Sequence, residues 1–262
     1  MNSATPSFIE QGTGDCAVVL LHGVGGGKEV WPDQLTALAQ AGYRAVAWDM
    51  PGYGASPAVE PFTMRALADA LHRLIQSLGA PQIVLLGHSM GGMVAQEYLA
   101  HYPEEAHGAL LSGTSPAFGN SSGAFQQAFL EKRLQPLDAG GSMAELAPSL
   151  LAGMLGPNPD ALGVALATAV MSRVKTETYR AALHAIVQFD QRANLTALKL
   201  PVLCLAGEND RNAAPLVMEK MAARIAHARY QCLPRVGHLA NLEDPALFNT
   251  AMLDWLRIHF PR

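Results

Sequence analysis

Short apolar runs alternate with longer amphipathic ones along most of the chain. Cys16–Leu21 (CAVVLL), Arg44–Trp48 (RAVAW), Gln82–Leu86 (QIVLL), Gly108–Ser112 (GALLS), Pro201–Ala206 (PVLCLA) and Tyr230–Leu233 (YQCL) have the length of strands. Most are apolar at every position rather than at alternate ones, the pattern of strands covered on both faces in a parallel sheet. Between them the period lengthens to that of a helix. In residues 63–79, Met64, Leu67, Ala68, Leu71, Leu74, Ile75 and Leu78 recur at i, i+3, i+4, i+7 spacing, and Gly79 supplies a stop. Further helical patterns cover residues 93–103, closed by Pro103, residues 214–228, and residues 245–260, introduced by the cap residue Asp244 before Pro245. Repeated strand–helix alternation predicts an α/β fold with a doubly wound, mostly parallel sheet.

One connection breaks the rhythm. Roughly 80 residues separate GALLSGTSP from LKLPVLCLAGEND, where such loops usually run about 2–6 residues. This stretch has helical patterns of its own at Ala124–Leu134, Met143–Leu155, Asp160–Arg173 and Thr176–Phe189, so an inserted helical cap is expected. Residues 1–116 and 197–262 then form the core, and residues 117–196 the cap subdomain.

Composition narrows the function classes. Half of the 262 residues are apolar, 15% are charged, and the net charge is −4, which supports one sizeable core and argues against disorder. With no run of four or more basic residues, there is no electrostatic footprint for nucleic acid or an anionic membrane. Nearly apolar runs such as Ala161–Met171 fall short of the about 18–20 residues that span a bilayer. Residues 1–16 lack the basic start and apolar stretch of a secretory signal. Cys16, Cys204 and Cys232 have no CxxC spacing and sit in or beside strand-like runs, where cysteine behaves as a small hydrophobe. A Cys204–Cys232 disulfide is allowed but not required. The expectation is a soluble, cytoplasmic monomer or homodimer whose partner is a small molecule.

The sharpest local signal is Gly87-His88-Ser89-Met90-Gly91, a G-x-S-x-G pattern between a predicted strand and a predicted helix. Glycines two residues either side of the serine leave room for a turn too tight for a Cβ. Ser89 is then presented above the sheet edge at a helix start, where the dipole favours developing negative charge. A serine hydroxyl needs a base. Of the nine histidines, His238 lies after the last strand and before the last helix, at the carboxyl edge where such sheets place their sites. His88 is expected to pack around the turn and His22 to hold the first Gly-rich loop, while His72, His101, His107, His227 and His259 read as structural or solvated. The base needs an orienting carboxylate. The segment ENDRNAAP offers Asp210, with Glu208 as a weaker substitute, and the order Ser89, Asp210, His238 is that of nucleophile, acid and histidine. The loop HGVGGG fits neither GxGxxG nor GxxxxGK[ST], which excludes a nucleotide-phosphate reading. Its glycines suit an oxyanion hole instead, with the backbone N–H groups of Val24 and Met90 as donors.

HGVGGG, DMPGYGAS (Asp49–Ser56), GHSMGG, GENDRNAAP and VGHLANLEDP, in this order, resemble the α/β-hydrolase superfamily and within it the bacterial carboxylesterase, enol-lactonase and meta-cleavage-product hydrolase group. The resemblance implies an eight-stranded sheet with the cap above Ser89. It implies hydrolysis of a small to medium carboxylic ester or lactone through an acyl-enzyme, with no cofactor and no metal. Two alternatives stay open: C–C hydrolysis of a ring-cleavage product by the same three residues, and a non-catalytic ligand sensor. Serine at position 89 argues against dehalogenase and epoxide hydrolase chemistry, for which relatives use aspartate. The cap surface facing Ser89 is expected to draw on Phe118, Phe125, Phe129, Leu150, Leu151, Met154, Met171 and Phe189, with His184 able to touch substrate. Arg133, Arg173, Arg180 or Arg192 is available for a substrate carboxylate.

Overall fold

The computed structural model describes residues 5–119 and 123–262. Its frame is a seven-stranded sheet of β1 (Phe8–Gln11), β2 (Cys16–Leu21), β3 (Arg44–Trp48), β4 (Gln82–His88), β5 (Gly108–Ser112), β6 (Val202–Gly207) and β7 (Ala228–Leu233). The order across the sheet is β1-β3-β2-β4-β5-β6-β7. β1 pairs antiparallel with β3, Phe8 opposite Trp48, and every other pairing is parallel. This is the doubly wound, mostly parallel α/β architecture expected. Among the described residues the sheet has seven strands, however, not eight. The strand FIEQ did not stand out because it is a largely exposed edge strand, paired on one side only, with no apolar run to mark it.

β2 to β6 are buried almost throughout, in keeping with their continuous apolar runs. The covering helices of the core are α1 (Pro32–Gln40), α2 (Met64–Leu78), α3 (Met90–His101), α8 (Pro215–Ala222), the short α9 (Ala240–Glu243) and α10 (Pro245–His259). α2 is bounded as its sequence reads: Thr63 accepts a hydrogen bond from the Ala66 N–H at the start, and Gly79 turns left-handed (φ 57°) at the end. Asp244 caps α10 by accepting from the Leu247 N–H. α8 is shorter than its apolar periodicity, because the chain turns after Ala222 and enters β7 at Ala228, while Ile225 stays buried without being helical. Trp31, Trp48 and Trp255 are fully buried in the core. No helix among the described residues is long and apolar enough to cross a membrane.

Between β5 and β6 lie four helices: α4 (Ala124–Asp138), α5 (Met143–Ala152), α6 (Ala161–Ser172) and α7 (Thr176–Val187). The chain leaves and re-enters the core side by side. Ala117 and Asp190 form an antiparallel bridge, the Phe118 N–H donates to the Phe189 carbonyl at 3.1 Å, and the Gln191 N–H donates to the Pro116 carbonyl at 2.7 Å. α5 opens with a reciprocal capping box between Ser142 and Glu145. The three cysteines are free thiols, with Cys204 buried and Cys232 exposed.

α2 buries one face in the core and packs beside α3. Leu71→Ala, at a fully buried position, is expected to lower unfolding stability by about 2–5 kcal/mol, read as a lowered midpoint in urea titration.

Candidate active site

β4 runs straight into Ser89, and α3 begins at the next residue. Ser89 has φ 52° and ψ −118°, a conformation that side chains other than glycine seldom adopt. The turn holds because its neighbours have no side chains. A Cβ on Gly87 would lie 2.6 Å from the Gly91 carbonyl oxygen, and one on Gly91 would lie 2.1 Å from the Leu21 carbonyl oxygen. Hydrogen bonds pin the strained residue on both sides. Its N–H donates to the Ser112 carbonyl at 2.9 Å, and its carbonyl accepts from Thr114 Oγ1 at 2.8 Å.

His238 stands across from this turn, with Nε2 3.0 Å from Ser89 Oγ and Nδ1 2.7 Å from Asp210 Oδ2. The other Asp210 oxygen accepts from the backbone N–H groups of Asn212 (2.8 Å) and Ala213 (2.9 Å). Burial would raise the Asp210 carboxyl, but the charge of His238, its hydrogen bond and the two backbone donors outweigh it and hold the group below the usual carboxylate range. Asp210 is therefore an acceptor. His238 carries its proton on Nδ1, and Nε2 is left to accept from the serine hydroxyl. Glu208 does not compete: it is exposed, and its Oε2 accepts from the Arg235 N–H at 2.8 Å.

A residue that sequence reasoning missed supports this arrangement from below. Glu243, 4% exposed, spreads one carboxylate over three backbone donors. Oε2 accepts from Gly237 (2.9 Å) and from Gly156 of the insertion (2.6 Å), and Oε1 accepts from Leu239 (2.9 Å). It thereby grips the chain on either side of His238, whose own N–H donates to the Met154 carbonyl at 2.7 Å. Only the position of Glu243 on the helical turn after His238 hinted at this; its three donors come together only in the fold.

His22 and His88 lie behind the site as neutral rings. His22 Nδ1 donates to the Gly23 carbonyl at 2.8 Å and Nε2 accepts from the Met50 N–H at 3.0 Å, which fixes the start of the Gly-rich loop. The same loop is held by Tyr53, whose hydroxyl donates to the Val24 carbonyl at 2.9 Å. Burial lowers the His22 imidazole and pushes His88 down to about 3, the latter helped by the neighbouring His238, whose ring lies 4.8 Å away. Met90 is the first residue of α3, so its N–H has no intrahelical carbonyl to meet. Val24 and Met90 border the same cavity as Ser89.

Two cavities flank Ser89 and share Val24, Met154 and His238 as walls. The narrower is mostly apolar, with Val30, Leu151, Met171 and Leu242 among its walls. The wider takes in Phe118, Phe125, Phe129, Arg133, Leu183, Ile186 and Arg211. Six of the expected pocket residues thus border Ser89: Phe118, Phe125, Phe129, Leu151, Met154 and Met171. Leu150, Phe189 and His184 do not. Phe189 and His184 line a separate groove with Phe62 and Arg65. On α7 the residues facing the cavity are Leu183 and Ile186, and His184, one step along, is rotated by about 100° onto the exposed face. No group of three or more His, Cys, Asp or Glu side chains able to hold a metal ion occurs among the described residues.

Residues 18–251 match the alpha/beta hydrolase family. The chain belongs to that family. This hydrolase is 30% identical over 92% of its length to the "Putative carbamate hydrolase RutD" of Variovorax paradoxus, covering 91% of that protein. It is 29% identical over 94% of its length to the "Putative non-heme bromoperoxidase BpoC" of Mycobacterium tuberculosis, covering 95% of that one. Among solved structures it is similar to a thermophilic esterase from Thermogutta terrifontis with malate bound, with a TM-score of 0.86, 26% identity, and coverage of 97% of this chain and 93% of the other.

The neutral His88 has a consequence for acid stability. Its folded pKa lies below its unfolded one, so the unfolded chain binds the extra proton and stability falls as pH drops from about 6.5 toward 3. His88→Asn is expected to reduce the slope of unfolding free energy against pH between about 6 and 4 by roughly 1.4 kcal/mol per pH unit, measured by urea titration at a series of pH values.

Proposed function

We propose that this hydrolase cleaves small to medium carboxylic esters or lactones through a serine acyl-enzyme. The observation that carries the reading is the continuous line Ser89 Oγ–His238 Nε2–Asp210 at 3.0 and 2.7 Å, opening on two cavities that can receive the two sides of a scissile carbonyl. The likeness to an esterase at 26% identity supports the same bond type.

Ser89 Oγ attacks the carbonyl carbon as its proton passes to His238 Nε2, and Asp210 stabilises the imidazolium that results. The N–H groups of Val24 and Met90 receive the negative charge on the carbonyl oxygen, and the start of α3 favours charge at that place. Collapse breaks the bond to the alkoxy oxygen, which takes the proton from His238 and leaves as alcohol, or stays tethered when the substrate is a lactone. Water then attacks the acyl carbon, giving its proton to His238. The acid departs as that proton returns to Ser89 Oγ. The four insertion helices act as the cap that closes both cavities, with Met154, Leu151 and Phe129 excluding water from the reacting carbonyl.

Ser89→Ala is expected to lower kcat for 4-nitrophenyl butyrate by about 10⁴-fold or more, and Asp210→Asn by a similar factor because the wrong histidine tautomer then faces the serine. Steady-state release of 4-nitrophenolate measures both. Turnover that persists within about tenfold in Ser89→Ala would contradict the nucleophile assignment.

A further inference from the structure

The two cavities at Ser89 differ in charge. Neither has an aspartate or glutamate in its wall, but the wider one has two arginines and the narrower has none. Of the four arginines in the insertion, three are neutralised elsewhere: Arg173 by Glu29 at 3.6 Å, Arg180 by Asp138 at 2.6 Å and Arg192 by Asp190 at 2.5 Å. Arg133 is the fourth. Among the described residues it pairs with no carboxylate, yet it is half-buried and held in place, donating to the Tyr179 hydroxyl at 3.3 Å with its guanidinium 5.3 Å from the Phe129 ring centre. Arg211, an exposed residue on the loop directly after Asp210, borders the same cavity from the core side, and it too has no acidic partner among the described residues. That loop is anchored by the Asn212 and Ala213 N–H bonds to Asp210. In a chain of net charge −4, two arginines face one chamber beside the nucleophile with no carboxylate in its wall, which makes that wall locally positive.

We propose that the wider cavity receives a carboxylate, so that the substrate is an ester or lactone bearing a free carboxylate on the part of the molecule lying there, bound by Arg133 and Arg211. The narrower, uncharged cavity takes the apolar remainder. A guanidinium suits this task because its planar fork matches a carboxylate in two parallel hydrogen bonds, and Arg133 has already given up much of its freedom to Phe129 and Tyr179. The inference rests on the ester or lactone reading above and deepens it.

The test compares monomethyl glutarate, adipate and pimelate with methyl pentanoate, hexanoate and heptanoate, each pair matched in acyl length, with acid release followed by pH-stat. For at least one length, kcat/KM for the carboxylate member is expected to exceed its neutral partner by about tenfold or more, and the ratio should shrink in about 0.5 M salt. In Arg133→Gln or Arg211→Gln the ratio is expected to fall by about fivefold or more, mainly through KM, and Arg133→Lys should retain part of it. Neutral esters preferred at every length, or a ratio unchanged in both glutamine variants, overturns the carboxylate assignment while leaving ester hydrolysis standing. No turnover of either series would instead overturn the ester reading, and this inference with it.

Discussion

The site depends on how closely the start of α3 approaches β2. Gly91 is pressed so near the Leu21 carbonyl that any Cβ would lie 2.1 Å from that oxygen, and Gly87 is equally confined against Gly91 and Gly92. This contact drives Ser89 into positive φ, places its hydroxyl at the sheet edge, and leaves the Met90 N–H at a helix start with no carbonyl of its own. The strain is held by the surrounding parallel sheet: the Ser89 N–H continues the β4–β5 pairing by donating to Ser112.

Electrostatics then fix the direction of the proton. Four rings and carboxylates meet behind the serine, but each is tied to one role. Asp210 is kept ionised by His238 and two backbone donors, His88 and His22 are kept neutral by burial, and Glu243 is taken up by three N–H groups around the histidine loop. Only His238 has one nitrogen facing a carboxylate and the other facing a serine hydroxyl. The loop carrying it is gripped jointly by the core and by Met154 and Gly156 of the insertion, so the fit of the insertion and the placement of the histidine are mechanically linked.

Most of this frame was legible in the residues, for a physical reason. Strands buried on both faces show as unbroken apolar runs, and a turn that forbids Cβ atoms shows as glycines at fixed offsets, so β2 to β6 and the G-x-S-x-G turn stand out in one dimension. The order of Ser89, Asp210 and His238 after their respective strands was readable because parallel sheets gather strand ends at one edge. What was not readable depends on partners distant in sequence. β1 is defined by pairing with Trp48 and its neighbours, not by its own composition. Glu243 looks like any acidic residue near a helix until Gly156 arrives 87 positions away to share it. His184 and Phe189 were misplaced because a helical pattern fixes which residues share a face but not which face meets the nucleophile. Likewise, four insertion arginines look equivalent in sequence, and only the fold separates Arg133 from the three with acidic partners.

The proposed reaction acylates one hydroxyl, that of Ser89. A fluorophosphonate probe followed by intact-mass measurement and peptide mapping tests it most directly. A single covalent adduct is expected, on Ser89, formed in proportion to the loss of ester hydrolysis. An adduct on a different residue, or full ester turnover with Ser89 unmodified and unmodifiable, would contradict it.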